Sequence, residues 1–469
     1  MTWCGAIPGP ETWMLMGNSI AKQIAEYVRE AGGRTFYVGG FVRDRLLGIE
    51  NKDVDIEVHG IEPGALFELL KKAGEPLTYG KSFGVFALKG EDIDIAMPRR
   101  ERATGTGHRD FAVEVDPFIG TREAARRRDF TINSMMEDVL TGGIVDHFGG
   151  RRDLDEGVIR HIDPETFIED PLRVLRGAQF AARFNFTIDP DTIELCGCID
   201  LSTLSAERVE EELKKALLKA EKPSIFFESL RAMDQLDVWF PELKQTIGLE
   251  QDPIFHPEGD VWTHTMEVVD RAAAFRDLVS EPYRFMLLAL THDLGKIVTT
   301  EEKNGRIHAY EHEEKGMPLV EAFTKRLTNE KEVRDYVFNM VPLHMRPNVL
   351  AYSKPVMKST NRMFDAAVAP ADLIWFAEAD RPVISGTDAF SGDREFLQER
   401  LRVYEETMAK PYVMGRDLIE AGLEPGEDFG EILAYAHKLR LAGIEKGSAL
   451  KQALTYARKM RKSNSKKGL

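Results

Sequence analysis

Apolar and polar positions alternate over short runs in the first third of the chain. "RTFYVGG" (34–40), "VDIEVHG" (54–60), "GVFALKG" (84–90) and "DIDIAMP" (92–98) carry β-branched or aromatic residues closed by glycine or proline, which predicts strands. Between 18 and 33, "NSIAKQIAEYVREAGG" has the 3.6-residue period of an amphipathic helix stopped by glycine. After about residue 160 strand signals almost vanish. Helical patterns then run to the end, interrupted at "DPDT", "EKPS", "FHPEGD" and "AYSKP". The pattern predicts an α+β protein: a small mixed-sheet head with helices, then an elongated helical body. No internal repeat or low-complexity linker divides it.

The length, 469 residues, exceeds one ordinary core and suggests roughly three or four units at ~150 residues each. No apolar run approaches the ~20 residues that span a bilayer, so no membrane partner is expected. "MTWCGAIPGPETWMLMGNS" lacks the basic start of a signal peptide. Three cysteines make a disulfide framework unlikely to be the plan of the fold, and Cys196 and Cys198 read as buried thiols rather than zinc ligands. A reducing, cytoplasmic setting follows. The net charge of −16 argues against a protein that coats nucleic acid by bulk charge. Local basic clusters at 98–111, 122–130 and 457–469 leave room for a basic groove, although the last reads most simply as a solubilising end.

Candidate chemistry begins in "YVGGFVRDRLLGIENKDVDIEVHG" (37–60). Asp53 and Asp55 are two apart, so on a strand they share a face. Carboxylates that close repel unless a cation or a proton intervenes. An isolated D-x-D is more often a solvated strand edge. Here Gly39 and Gly40 allow close approach of backbone to a triphosphate, and Arg43 adds charge. Asp94, on another expected strand, can complete a three-carboxylate set for Mg²⁺, whose chemistry activates a hydroxyl and stabilises a leaving group.

The order of motifs carries more. G-G-x-V-R-D and D-x-D are followed by "RRRDFTIN" (126–133), "IEDPLRVLRGAQFAARFNF" (168–186) and "LSAERVEEELKKAL" (204–217). This series resembles the class II tRNA nucleotidyltransferases, the CCA-adding enzymes and bacterial poly(A) polymerases of the DNA polymerase beta superfamily. The resemblance implies that Gly40, Arg43, Asp53 and Asp55 bind triphosphate and metal, and that Arg128 and Asp129 contact the nucleotide sugar and phosphates.

Taken alone, Asp170 reads as a helix cap and Arg173 as a surface charge. Yet Asp170, Arg173 and Gly177 share a helical face, and an acceptor beside a donor matches cytosine and adenine, which present an amino group beside a ring acceptor. Uracil and guanine present the reverse order. In the resembled family this motif selects CTP and ATP, with Arg176 also touching the nucleotide. The family usually has a basic residue where this chain has Gln179, which is therefore left outside the expected site. Residues 99–121 resemble the loop that lets the family add A after C, which favours full CCA or A addition over CC-only addition and leaves A-only addition open.

The body adds His264, the adjacent pair His292 and Asp293, His312, His344 and Asp380. One helical histidine is usually structural. Six such residues in the order H…HD…H…H…D suit Mn, Fe, Ni or Zn, with His292 and Asp293 on one ion and the outer histidines on a second. The pattern resembles the HD phosphohydrolases, which implies a metal-assisted phosphatase or cyclic phosphodiesterase activity, with Lys296 steadying a phosphate. "VMGRDLIEAGLEPGEDFGEILAYAHKLRLAG" (413–443) resembles the tail that follows HD domains in such proteins.

The expected domains are a transferase head (1–155), a base- and RNA-binding neck (156–245), an HD-type domain (246–400) and a tRNA-binding tail (401–469). The expected substrates are tRNA, CTP and ATP, with no obligate protein partner. The rival readings are an HD phosphohydrolase with an inactive head and an RNA chaperone with two vestigial sites.

Overall fold

The structure, a computed structural model, describes residues 10–78, 84–103, 111–381 and 391–467. The chain packs as two compact units. One runs to Ala220 and includes Ile225–Trp239; the other comprises Glu221–Ser224 and the chain from Phe240.

The first unit is built on a mixed seven-stranded sheet. In chain order its strands and an adjoining hairpin are β1 (Arg34–Val38), β2 (Val54–His59), β3 (Pro76–Thr78), β4 (Val85–Leu88), β5 (Ile93–Ala96), β6 (Arg99–Ala103), β7 (Phe111–Val115), β8 (Met136–Asp138) and β9 (Ile144–Val145). The sheet order is β3-β4-β5-β2-β1-β8-β9, while β6 and β7 pair separately. Only β2 and β5 are parallel within this sheet. On β2, Val54, Ile56 and Val58 form a buried apolar face, and Asp55, Glu57 and His59 occupy the other. The helix Pro10–Glu30 covers β1 and β2 with Ala21, Ile24, Ala25 and Val28, the stripe that a 3.6-residue period predicts.

The helix Leu172–Phe184 begins where Asp170 Oδ1 accepts the Leu172 N–H at 3.1 Å and lies along the helix Ala206–Lys219. Phe130 packs edge-on against Phe167 and Phe180, at centroid distances of 5.5 and 5.9 Å. A Cβ at Gly177 would stand 3.1 Å from Phe130 Cζ, so the helix approaches the sheet-side motif here through a bare backbone. The segment 99–121, expected as a loop, contains the paired strands β6 and β7, and its tip, 104–110, lies outside the described residues.

The second unit is helical. Val261–Ala273, Pro282–Thr291 and Pro370–Asp380 pack together, and residues 285–290 of the middle helix are all buried. Near the C-terminus, Phe429–Leu441 and Lys446–Lys467 close over Leu418, Ile432, Ala436, Ala453 and Ala457.

The near-absence of strands after residue 160 needs two corrections. Val158–Ile159 pairs with Thr187–Ile188, and Glu301–Lys303 pairs with Arg306–His308. The second pair turns through Asn304 and Gly305, with φ of 55° and 71°, the positive angles of a tight Asn-Gly hairpin. Of the paired cysteines, Cys196 is buried but Cys198 is exposed, at the end of its helix. No described helix is long and apolar enough to cross a membrane.

Candidate functional site

The first unit holds a cavity of about 550 Å³ between β2, the residues around Asp129 and the Leu172–Phe184 helix. Gly39, Gly40, Arg43, Asp53, Arg128, Asp129, Asp170, Arg173 and Arg176 all line it. Its wall carries eight basic side chains against four carboxylates, so a chain of net charge −16 still presents a cationic pocket suited to a polyanion.

The two glycines open the wall. Gly39 sits at φ 64°, a left-handed angle that favours glycine, and starts the helix Gly40–Leu46. A Cβ there would lie 3.1 Å from Arg128 Nη1. Asp53 faces the cavity just before β2, and its N–H donates to Asn51 Oδ1 at 3.0 Å. Asp55 follows on the same face, directly opposite Asp94 in the parallel register of β2 and β5. Burial, then Asp94, then Asp53 raise the Asp55 carboxyl to about 6, against a smaller opposing pull from Arg128. A cation beside Asp55 would relieve that cost of ionisation, but Asp55 and Asp94 do not line the cavity, and the three carboxylates are not among the groups whose donor atoms lie within 4.8 Å of one another.

Arg43 departs from the expected role of a free phosphate ligand. It is 3% exposed, donates to Asp44 at 2.6 and 2.8 Å and to Asn133 Oδ1 at 2.7 Å, and lies over Phe180 and Phe184. It braces the cavity floor and contributes charge from there.

Asp129 is the hub of the second motif. Its Oδ1 accepts from the Phe130 N–H and from Asn133, and its Oδ2 lies 2.6 Å from Arg176 Nη2. Burial alone would push this carboxyl up, but Arg176 and the hydrogen bonds outweigh it and hold it below its ordinary value. Asp170 and Arg173 both reach the cavity, but they are not paired to each other. Asp170 is held by Arg208 at 3.0 Å, and Arg173 donates to the Thr166 and Arg127 carbonyls at 2.7 Å each.

Several wall residues lay outside the sequence reading. Glu57 is 1% exposed, bonds His59 at 2.9 Å and lies 3.3 Å from Arg128 Nη2. Burial opposes its charge, yet His59 and Arg128 bring its carboxyl down to about 2. It continues the period-2 series Asp53, Asp55, Glu57, a signal that was available in the sequence. Asn133, Arg183 and Lys215, inside the quoted motifs but given no role there, also line the cavity, as does Lys219 beyond them.

The second unit gathers all six expected HD residues. His264, His292 and Asp293 form one group of donor atoms lying within 4.8 Å of one another, and Asp293, His312 and His344 form another. Asp380 Oδ1 is 3.1 Å from His264 Nε2 and 3.3 Å from His292 Nε2. The outward ring nitrogens are all anchored. Nδ1 of His264 meets Glu258 at 2.6 Å, and Nδ1 of His292, His312 and His344 meets the Ala289, Ala309 and Val341 carbonyls at 2.9, 2.9 and 2.7 Å. Each Nδ1–H therefore donates outward and each Nε2 lone pair points inward, the orientation of metal-binding imidazoles. His292 and His264 Nε2 stand 3.4 Å apart, and His312 and His344 Nε2 3.2 Å apart. Pairs of lone pairs that close fit a bound cation.

Burial would raise Asp293, but His292 and Lys296 keep it well below its usual range. Lys296 is pinned to Asp293 at 2.7 Å and to Gln251 at 2.5 Å, and it lines an adjoining cavity of about 1140 Å³. Gly295 and Gly316 make the cluster possible. A Cβ on Gly295 would lie 1.9 Å from the His312 carbonyl, and one on Gly316 would lie 2.4 Å from Gly295 Cα.

Known families match three successive parts of the chain. Residues 35–160 match the poly A polymerase head domain, 185–247 the probable RNA and SrmB-binding site of polymerase A, and 261–381 the HD domain. The multifunctional CCA protein of Nitrosococcus oceani is 36% identical over 408 residues, covering 85% of this chain and 95% of that protein.

The chain belongs to the multifunctional CCA protein family.

Another member, from Stenotrophomonas maltophilia, is 40% identical over 304 residues, 63% of this chain and 71% of its own. Among solved structures, a CCA-adding enzyme with ATP superposes with a TM-score of 0.65 at 21% identity, over 96% of this chain and 95% of that one. The Thermotoga maritima CCA-adding enzyme complexed with tRNA-CCA gives 0.62 at 21%, over 96% of each chain. At that identity the likeness establishes the shared fold. Gln179, left outside the expected site, lines the cavity of the first unit.

Proposed function

We propose that this protein adds C and A nucleotides to the 3′ end of tRNA from CTP and ATP without a template, releasing pyrophosphate. The observation that carries the proposal is the single basic cavity that joins the glycine turn, Asp53, Asp129 and the Asp170–Arg173–Arg176 series. The 36% identity to a multifunctional CCA protein over most of both chains supports it. In the reaction the tRNA 3′-hydroxyl forms a bond to the α-phosphorus, and the bond to pyrophosphate breaks.

Gly39 and Gly40 admit the triphosphate, while Arg128 and the charge of Arg43 balance it. Asp53 and Asp55, with Asp94 alongside, would hold Mg²⁺; when bound, that ion supplies neutralising charge to the triphosphate and to the attacking and leaving oxygens. Asp129 orients Arg176 toward the nucleotide. Asp170 accepts from the amino group of C or A while Arg173 donates to the neighbouring ring acceptor, an order of donor and acceptor that U and G reverse.

The HD cluster supports a second activity, hydrolysis of phosphate esters. His264, His292, Asp293, His312, His344 and Asp380 would hold Mn, Fe, Ni or Zn, which supplies an activated water when bound. Head, neck, HD-type domain and tail, at 1–155, 156–245, 246–400 and 401–469, divide this work, with tRNA held mainly by shape and backbone. A cytoplasmic setting suits these substrates.

The test is incubation with tRNA lacking all, part or none of CCA, with labelled CTP and ATP, followed by end sequencing. Stepwise C, C and A addition is expected. Phosphatase turnover without any incorporation would overturn the transferase proposal in favour of a hydrolase with an inactive head.

A further inference from the structure

Gln179 is 1% exposed, lines the cavity of the first unit, and its Nε2 is buried without a hydrogen-bond partner. In the same wall Asp129, Asn133, Arg43 and Arg176 are linked by hydrogen bonds, whereas Arg128 Nε, like the amide, is buried without one. Leaving a buried amide unpaired costs stability, so such a group in a cavity wall is a donor held for a ligand.

Its place on the helix narrows the choice of ligand atom. Gln179 follows Arg173 by six residues, about 9 Å along the helix axis, and so sits well away from the pair that would read the base. Arginines at 43, 128 and 183 already supply charge for phosphates, and a neutral amide adds none. A side-chain amide offers a donor and an acceptor together, which matches a hydroxyl, itself both donor and acceptor.

Resting on the transferase reading, we infer that Gln179 is a nucleotide-specificity residue whose amide hydrogen-bonds a ribose hydroxyl of the incoming nucleotide. Asp129 is committed to Arg176, Asn133 and the Phe130 N–H, so the sugar contact that the resemblance gives to it passes to this amide.

Gln179→Leu tests this. The full-length protein is assayed on tRNA lacking CCA with CTP, 2′-deoxyCTP and 3′-deoxyCTP, and the melting temperature of the free protein is measured in parallel. A KM for CTP raised by about 2- to 10-fold is expected, the worth of one neutral hydrogen bond. At least one deoxy analogue should bind the variant and the wild type equally, because the contact is already missing. The free protein should melt no lower than wild type, since leucine removes an unpaired polar group. Gln179→Met, near-isosteric but without a polar hydrogen or amide oxygen, should show the same selectivity loss. An unchanged KM for CTP, an equal loss for all three nucleotides, or a lower melting temperature accompanying the loss would overturn the inference. A wild-type protein that incorporates no nucleotide would instead defeat the transferase proposal itself.

Discussion

Asp129 and Arg176, 47 residues apart, meet at 2.6 Å and lock the second sequence motif to the helix that would read the base. Arg176 also lies over Phe180, with its guanidinium 5.1 Å from the ring centroid. The pair is therefore both a support for the fold and part of the cavity wall. Arg176→Met would leave a buried carboxylate without its cation, and a loss of about 3 kcal/mol in unfolding free energy is expected by denaturant titration. Because Asp129 is held below its ordinary carboxyl value, its share of stability is present at neutral pH and disappears as acid protonates it. The double variant Asp129→Asn, Arg176→Met should recover much of the stability at pH 7 but none of the CCA addition.

Asp55 behaves in the opposite sense. Its carboxyl titrates near 6, above the ordinary value, because burial and the carboxylates of Asp94 and Asp53 oppose ionisation. In chelator, its contribution therefore favours the fold at low pH, and that advantage is lost as pH rises through about 6. Asp55→Asn should raise the melting temperature at pH 8 more than at pH 5. Adding Mg²⁺ should stabilise the wild type more at pH 8 than at pH 5, and the variant at neither. Asp53→Ala and Asp55→Ala should each lower kcat for C addition by at least about 100-fold.

The alternation in β2 could be read before any coordinates, because side chains two apart on a strand must share a face. The same rule would have reached Glu57 had the series been followed one step further. The partner of Asp170 could not be read: Arg208 comes from another helix, and helical periodicity says nothing about which helices touch. The free amide of Gln179 was equally hidden, since a missing hydrogen bond is a property of packing. That the six HD residues belong together was legible because only their order and chemistry were needed. Their anchoring was not, as three of the four Nδ1 atoms bond backbone carbonyls that every sequence supplies. The Asn304–Gly305 hairpin was missed because its two strands have three residues each, too few for a pattern.

Asp293 contributes to both donor groups of the second unit, through Oδ2 toward His292 and Oδ1 toward His312. Asp293→Ala should therefore cost metal at both positions. Metal content after chelation and reloading, read by mass spectrometry, is expected to fall well below that of the wild type. Hydrolysis of a chromogenic phosphodiester should be lost, while stepwise CCA addition persists. Loss of both activities would show that the head depends on this cluster.

The approach of Gly295 to His312 gives the sharpest test of how the cluster is assembled. Asp293 lies on the turn before Gly295, and His312 opens the short helix His312–Lys315. Their carboxylate and imidazole stand 3.2 Å apart. That distance depends on a bare backbone, because a Cβ at Gly295 would fall 1.9 Å from the His312 carbonyl, and neither backbone can yield alone. Gly295→Ala should force the two segments apart at a cost of about 1–3 kcal/mol, read as a lowered denaturation midpoint. The separation should also weaken the donor group that spans them. Metal capacity should fall further than after Gly305→Ala, a substitution at a strained turn with nothing within 4 Å of the added atom. Equal metal capacity in the two variants would mean that the Gly295–Gly316 contact supports the fold without setting the position of His312.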